Sequence, residues 1–450
     1  MGRLTATTAR VLVTLCAATR TTEFAARRVG VAPFLPALFT LRYANMGGID
    51  PQVFARHLAG CRSFADDRWT RHWDAVALAH LDAAAGTLAP LGGPSADTLR
   101  GVLDDDGLGD STVTRLRAAV AGAAPVLVEH GPQPSAAQVR RLAAALGHDP
   151  AGDSALAAVG LDELVKAVTY LQVSAFPGTG PRRMRAYHRS RRLFDVLATA
   201  LAAALGIALE QVAVPVGGNV VRGYAVFPDS EGPVATVLAT NGLEGTVQEL
   251  LLPMLRYHDG DLGVVVMEMP GSYADTRPMS TESIAVYDAV LEHVAGHRRV
   301  DASRIGVVGV SFGGYWAAAM AAHSPRVRCA VACGAPTHHS FRPSLGLPQI
   351  ILDALEKVTG ATTPWGLLAS LRALSLRDRY REITVPLLVV NGDRDTLLST
   401  RDSVELAAGA PAGELLLYPD DDHCAMGHYR EWLDHTQRWL SDRLAAGARP

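Results

Sequence analysis

The sequence predicts an α/β protein: a doubly wound, mostly parallel sheet preceded by a mainly helical N-terminal domain. Three observations carry that expectation. Residues 1–208 show helical periodicity almost throughout. From Gln211 onward, short Val- and Ile-rich runs alternate with helical stretches. At 305–322 an apolar strand, a Gly-x-Ser-x-Gly turn and an Ala-rich helix follow one another without a gap.

In chain order, an apolar run at Val11–Ala18 follows Arg3 and Arg10. It is short, broken by Thr14, and has no clean cleavage site before Arg20, so it reads as part of a cytoplasmic protein rather than as a leader. Helices are expected at Gln52–Leu58, Trp69–Ala85, Val113–Ala121, Ala136–Leu146, Leu161–Val173 and Met184–Leu205. The breaks between them are Gly92–Ser95, Asp104–Gly107 and Gly131–Pro134. Val212–Val216 and Val220–Phe227 form a hairpin through Gly217-Gly218, a dipeptide suited to a tight turn. Further strands fall near 234–239, 263–269, 305–309, 328–333, 385–391 and 414–418, with helices between them. Two domains follow, 1–208 and 209–450, with 340–381 as a possible cap insertion between the sixth and seventh strands, both strands of the hairpin being counted.

The turn at Gly309-Val310-Ser311-Phe312-Gly313 has the form of the nucleophile elbow of an α/β-hydrolase. The motif alone is weak; its place between strand and helix gives it weight. A Ser hydroxyl needs a base, and the base needs an orienting carboxylate, in the chain order Ser, acid, His. Val385–Asn391 reads as a buried parallel strand running into Gly392-Asp393-Arg394-Asp395, and Glu414–Tyr418 as a last strand running into Pro419–His423. Asp395 is therefore the candidate acid, with Asp393 as rival, and His423 the candidate base, with His428 as rival. Asp420, Asp421 and Asp422 read as a solvated loop. One oxyanion donor is the amide of Phe312, at a helix N-terminus. The second, by position after the strand at 234–239, is the amide of Leu243. Glu244 beside it has two readings: an acid or hydrogen-bond partner for substrate, or a cap for the helix beginning near Val247.

Several stretches resemble one family. Asn241–Thr246 (Asn-Gly-Leu-Glu-Gly-Thr) resembles the Gly-Gly-Leu-Glu-Ser-Thr stretch of the dihydroxypseudooxynicotine hydrolases. Val264–Pro270, Met279–Ser283 and the elbow are similar to the esterase-like fermentation/respiration switch (FrsA) proteins. Pro336–His339 and Leu347–Asp353 look like the cap side of those proteins, and Trp69–Trp73 and Tyr187–Phe194 like their helical part. Fungal polyketide-shortening hydrolases look like relatives too. The resemblance implies a helical domain ahead of a hydrolase domain, a homodimer, and action on esters or on the carbon–carbon bond of activated ketones. The stretch from about 85 to 158 departs from the pattern.

Composition narrows the partners. The 450 residues are 48% hydrophobic with mean hydropathy +0.13, enough for a hydrolase core and a second domain. A net charge of −3 and a pI near 6.6 argue against nucleic acid as a partner. No apolar run is long enough to span a membrane. Five cysteines without paired spacing indicate neither a disulfide framework nor zinc, and Cys424 reads as an ordinary buried thiol. His338 and His339 are candidate substrate contacts, but lack a third ligand for a metal. The segment 340–381 covers substrate or simply packs on the sheet. The basic run Arg182, Arg183, Arg185, Arg189, Arg191 and Arg192 is a solvated or dimer-contacting helix face, or a receiver for an anionic carrier.

The expected activity is cleavage of a carboxylic ester, thioester or lactone through an acyl-enzyme, without a cofactor, on a small-molecule acyl or ketone substrate such as a bulky natural product. The alternatives are hydrolysis of a carbon–carbon bond, acyl transfer or cyclisation, and a non-catalytic binding protein on a hydrolase scaffold.

Overall fold

A computed structural model describes residues 6–105, 109–123, 152–255, 261–342 and 346–446. The expected helix Ala136–Leu146, the break Gly131–Pro134 and part of the break at 104–107 lie outside the described residues, as do residues 343–345 of the expected cap insertion.

Nine described helices precede the sheet: α1 (Ala6–Ala18), α2 (Thr22–Val29), α3 (Leu38–Gly47), α4 (Pro51–Gly60), α5 (Asp66–Leu88), α6 (Ala96–Asp104), α7 (Asp110–Val120), α8 (Asp153–Ala175) and α9 (Pro181–Leu205). Local chemistry sets several of their ends. Asp50 accepts from the amides of Gln52 and Val53 and Pro51 follows it, so α4 starts there. Ser95 caps α6, and α9 ends where Gly206 turns left-handed. The apolar run at 11–18 is helix α1, with Val13, Cys16 and Ala17 buried. No described helix is long and apolar enough to cross a membrane. Between 85 and 158 the described part holds α6 and α7, which bury Leu99, Leu103, Leu116 and Val120.

The sheet follows as β1 (Ala208–Val216), β2 (Asn219–Phe227), β3 (Val234–Thr240), β4 (Gly263–Met267), β5 (Val300–Val310), β6 (Val327–Cys333), β7 (Leu387–Gly392) and β8 (Gly413–Tyr418). Between them lie α10 (Val247–Met254), α11 (Ile284–Ala295), α12 (Phe312–His323), α13 (Gln349–Thr359), α14 (Pro364–Ala373) and α15 (Thr400–Gly409), and α16 (Tyr429–Ala446) follows β8. The strand order is β1-β2-β4-β3-β5-β6-β7-β8. β1 and β2 pair antiparallel, as do β2 and β4; all other pairs are parallel. Gly217 and Gly218 both have positive φ, the condition for a two-residue turn whose twist matches its strands.

Both faces of the sheet are covered, so neighbouring residues on a strand enter different cores. Val237, Val266 and Val308 belong to a cluster that continues into the helical region through Phe54, Trp73 and Tyr170. The Phe54 ring lies 5.6 Å from Trp73 and 6.1 Å from Tyr170, near-parallel to both. Leu238, Val265 and Val307 face the opposite way and pack with Tyr287 of α11 and Trp316 of α12. The N-terminal helices thus share a continuous core with one sheet face. β5, β7 and β8 run parallel, so the loops beyond their C-terminal ends gather at one edge, where open α/β sheets carry their sites.

Candidate active site

Ser311 sits between the end of β5 and the first residue of α12, with φ 58° and ψ −123°. That is left-handed backbone, costly for a residue with a Cβ and found where the surroundings over-determine it. A Cβ on Gly309 would stand 1.9 Å from the Gly313 carbonyl oxygen, so only glycine admits the turn. The Ser311 hydroxyl lies 2.9 Å from His423 Nε2, and His423 Nδ1 lies 2.8 Å from Asp395 Oδ2. The Asp395 and His423 side chains are 0% and 3% exposed.

The acid is held from four directions. Asp395 Oδ1 accepts from the amides of Leu397 and Leu398 at 2.9 and 2.7 Å. Its Oδ2 accepts from Asn391 Nδ2 at 3.0 Å as well as from His423. Burial would lift the carboxyl, but the facing imidazole and these donors hold it below the usual carboxylate range. For His423 burial would depress the imidazolium; Asp395 outweighs it and carries the ring well above the ordinary 6.5. The rivals are occupied elsewhere. Asp393 Oδ1 accepts from the Asp420 amide at 2.8 Å, and His428 Nδ1 pairs with Asp421 Oδ2 at 2.8 Å.

Of the three aspartates before His423, Asp420 is exposed as a solvated loop would have it, but Asp421 and Asp422 are not. Asp421 is 6% exposed and accepts from the amides of Asp422, Gly427 and His428. Asp422 Oδ1 accepts from the amides of His423 and Thr396 at 2.8 and 2.6 Å. They shape the turn that presents the imidazole. Left-handed Cys424 and Ala425 then redirect the chain towards α16.

Gly242 lies against the elbow: a Cβ there would stand 2.7 Å from Ser311 Cβ and 3.0 Å from the Phe312 nitrogen. Leu243 and Phe312 both border the cavity above Ser311. The Phe312 amide, first in its helix, has no intrahelical acceptor.

Both readings of Glu244 are corrected. Its side chain is wholly buried and is not among the cavity-lining residues; it accepts from the Gly178 amide at 2.6 Å and pairs with Lys357 at 3.0 Å. Nor does it cap α10, whose N-cap is Thr246. His338 and His339 also leave the site. Their amides are drawn to Asp402 at 3.0 and 2.7 Å, while their rings turn to Ser375 at 2.8 Å and Glu405 at 2.9 Å. The basic run is largely structural: Arg183, Arg189, Arg191 and Arg192 bond to Phe64, Asp104, Tyr187 and Leu103, leaving Arg182 and Arg185 exposed. All five cysteines are buried and free, and burial pushes the Cys424 thiol well up.

The cavity has a volume of about 630 Å³. Ser311 and His423 are among its lining residues, and its other walls are mostly apolar. Leu38, Phe39 and Met46 of α3 close one side, and Phe341, Leu352 and Leu371 of the 340–381 segment another. Sequence reasoning missed three polar residues. Asn391 donates to Asp395 and accepts from the Cys424 amide at 2.9 Å, tying the acid loop to the base loop; a polar side chain ending an otherwise apolar strand was its signal. Arg42 and Glu249 form a buried pair at 2.8 Å in the cavity wall, with Arg42 also donating to the Glu244 carbonyl at 2.9 Å.

Comparison with known proteins adds a family. The profile described as FrsA-like (Esterase FrsA-like) matches residues 155–445. Esterase FrsA of Vibrio cholerae is 26% identical over 236 residues, 50% of this chain and 56% of the esterase, so the match spans little more than half of that relative. The 2,6-dihydropseudooxynicotine hydrolase of Paenarthrobacter nicotinovorans is 26% identical over 309 residues, 67% of this chain and 80% of that enzyme. Among solved structures, 2,6-dihydroxy-pseudo-oxynicotine hydrolase superposes with a TM-score of 0.56 at 22% identity, covering 80% of this chain and 96% of the other. The protein titled AbyA5 does so at 0.54 and 24%, covering 79% and 98%. The fold is that of an α/β-hydrolase.

Proposed function

The chain belongs to the FrsA-like esterase family, and on that premise we propose that it hydrolyses a carboxylic ester of a bulky, mainly apolar acyl compound through an acyl-enzyme on Ser311. The observation that carries the reading is the unbroken hydrogen-bond chain Ser311–His423–Asp395 at the cavity wall. His423 takes the Ser311 proton as Oγ attacks the carbonyl carbon, and Asp395 keeps the Nδ1 proton in place and offsets the imidazolium charge. The amides of Leu243 and Phe312 receive the oxyanion. His423 returns the proton to the leaving alcohol, then activates water to release the acid. On this reading residues 1–208 roof the cavity and 209–450 form the catalytic domain.

The cavity walls support an apolar acyl group, since binding there is dominated by burial of hydrocarbon, ~25 cal/mol per Å². Carbon–carbon bond hydrolysis needs a group to protonate the leaving carbon, and Glu244, the acid expected beside the substrate, is not among the cavity-lining residues. The carboxylates that do border it, Glu249 and Glu356, are paired with Arg42 and Arg20. A purely binding role gives no reason to hold Ser311 in strained backbone beside a fully oriented imidazole. Reaction with a fluorophosphonate probe tests the proposal: folded protein labels on Ser311 and Ser311→Ala does not. Folded wild-type protein that neither labels nor turns over p-nitrophenyl esters of any chain length refutes it.

A further inference from the structure

Four separate parts of the chain converge on Glu244, next to the cavity. Its Oε2 accepts from the Gly178 amide, in the connector between α8 and α9, at 2.6 Å. Its Oε1 accepts from Lys357 Nζ, on α13 of the 340–381 segment, at 3.0 Å. Its carbonyl oxygen accepts from Arg42 Nη2, on α3, at 2.9 Å and from the Tyr273 hydroxyl, in the loop after β4, at 3.2 Å. The contacts are closely fitted: a Cβ on Gly178 would stand 2.8 Å from the Tyr273 ring and 3.1 Å from Glu244 Oε2. Arg42 is itself fixed by Glu249.

The backbone of Glu244 is left-handed, with φ 54°. For a residue with a long side chain that conformation costs ~1–3 kcal/mol and survives only where neighbours over-determine it. Here the neighbours are the four donors just named. The residue immediately before it is Leu243, and the one before that, Gly242, is pressed against Ser311. The dihedral at Glu244 therefore sets how Gly242 and Leu243 sit over the nucleophile.

We propose that Glu244 is a positioning residue: its buried carboxylate, clamped by Lys357 and Gly178, holds the 242–245 loop so that the Leu243 amide points at the oxyanion site. This rests on the esterase reading above. It also makes the hole conditional on assembly, because the clamp is complete only when the N-terminal helices and the 340–381 segment are both docked. Oxyanion donors act by being preorganised, so a loop free to relax loses turnover rather than substrate affinity.

Lys357→Met removes the cationic jaw, at a side chain 26% exposed, and Lys357→Arg restores it. Two readouts are taken on the full chain with melting temperature as a control. One is amide hydrogen exchange of the peptide covering 241–246, which needs no substrate. The other is the split between kcat and KM on p-nitrophenyl butyrate. Expected for Lys357→Met are faster exchange in that peptide and a kcat ~10–100-fold lower with KM changed less than about threefold, both recovering in Lys357→Arg. Glu244→Gln, which loses the ionic contact but keeps an acceptor for Gly178, should move both readouts the same way. Unchanged exchange overturns the clamp whatever the kinetics. Faster exchange with unchanged kcat overturns the positioning role. If wild-type protein neither labels with fluorophosphonate nor turns over, the hydrolase reading fails and the oxyanion role with it, while exchange still decides whether the carboxylate holds the loop.

Discussion

Replacing Asp395 by Asn keeps size and shape while changing one acceptor atom into a donor, and the four hydrogen bonds at this side chain dictate the consequence. The Leu397 and Leu398 amides require an acceptor at the Oδ1 position. The amide oxygen therefore stays there, and the new NH₂ faces His423 Nδ1 and Asn391 Nδ2. Nδ1 can then only accept, so the ring proton moves to Nε2, the atom 2.9 Å from the Ser311 hydroxyl. A ring protonated there cannot receive the serine proton. Loss of the correct tautomer costs roughly 10⁴ in kcat in a Ser-His-Asp arrangement. Turning the amide around would restore the tautomer but break two backbone hydrogen bonds at ~1 kcal/mol each, with little net relief. The pH profile supplies an independent sign. The neutral ring is the working form, so activity is full above the folded pKa of His423 and falls as pH drops through it. Asp395 raises that pKa, so the wild-type acid limb should lie above the ordinary 6.5 and move to lower pH in the residual activity of Asp395→Asn. The assay is kcat/KM on p-nitrophenyl butyrate from acid to neutral pH. Asp393→Asn is the control, since its Oδ1 serves only the Asp420 amide and an Asn oxygen can replace it. A crippled Asp393→Asn, or Asp395→Asn within tenfold of wild type, refutes the assignment.

Three further outcomes follow from the same geometry. Ser311→Gly should be more stable than Ser311→Ala by ~1 kcal/mol in denaturant melts, because the left-handed φ of 58° penalises any Cβ, while both lose esterase activity. Leu352→Trp, in the cavity wall, should raise KM for long-chain p-nitrophenyl esters by about tenfold and leave the acetate ester nearly unchanged, since filling a cavity costs only ligands that use the space. Trp73→Ala, fully buried in the helical aromatic cluster, should cost ~3–5 kcal/mol of unfolding free energy by chemical denaturation.

What was legible in the sequence was what local chemistry enforces. The elbow, the strands and the order Ser311, Asp395, His423 are readable because a parallel strand buried on both faces is an apolar run, and because sites gather beyond strand ends. Helix α6 is not legible: it spans nine residues, with few apolar positions amid Asp, Thr and Arg, whereas α7 overlaps the helix expected at Val113–Ala121. The apolar run at Val11–Ala18 forms part of α1, and its buried Val13 and Cys16 belong to the shared core.

The polar errors have a different origin. Glu244, His338 and His339 were judged by their proximity in sequence to functional segments, but side-chain direction depends on partners far away along the chain. Lys357 meets Glu244 across 113 positions, and Arg42 meets Glu249 across 207. No period or spacing announces such pairs, because each is formed by a helix from outside the sheet reaching into the site. The same fact gives the helical region a reason to share a core with the sheet. A roof attached by a flexible linker could enclose substrate, but it could not hold Arg42 within hydrogen-bond distance of the Glu244 carbonyl. Continuous packing through Phe54, Trp73 and Tyr170 into Val237 and Val308 supplies that rigidity, since close-packed interiors transmit displacement rather than absorb it. The shape of the cavity and the set of the loop over Ser311 are thus properties of the joined core.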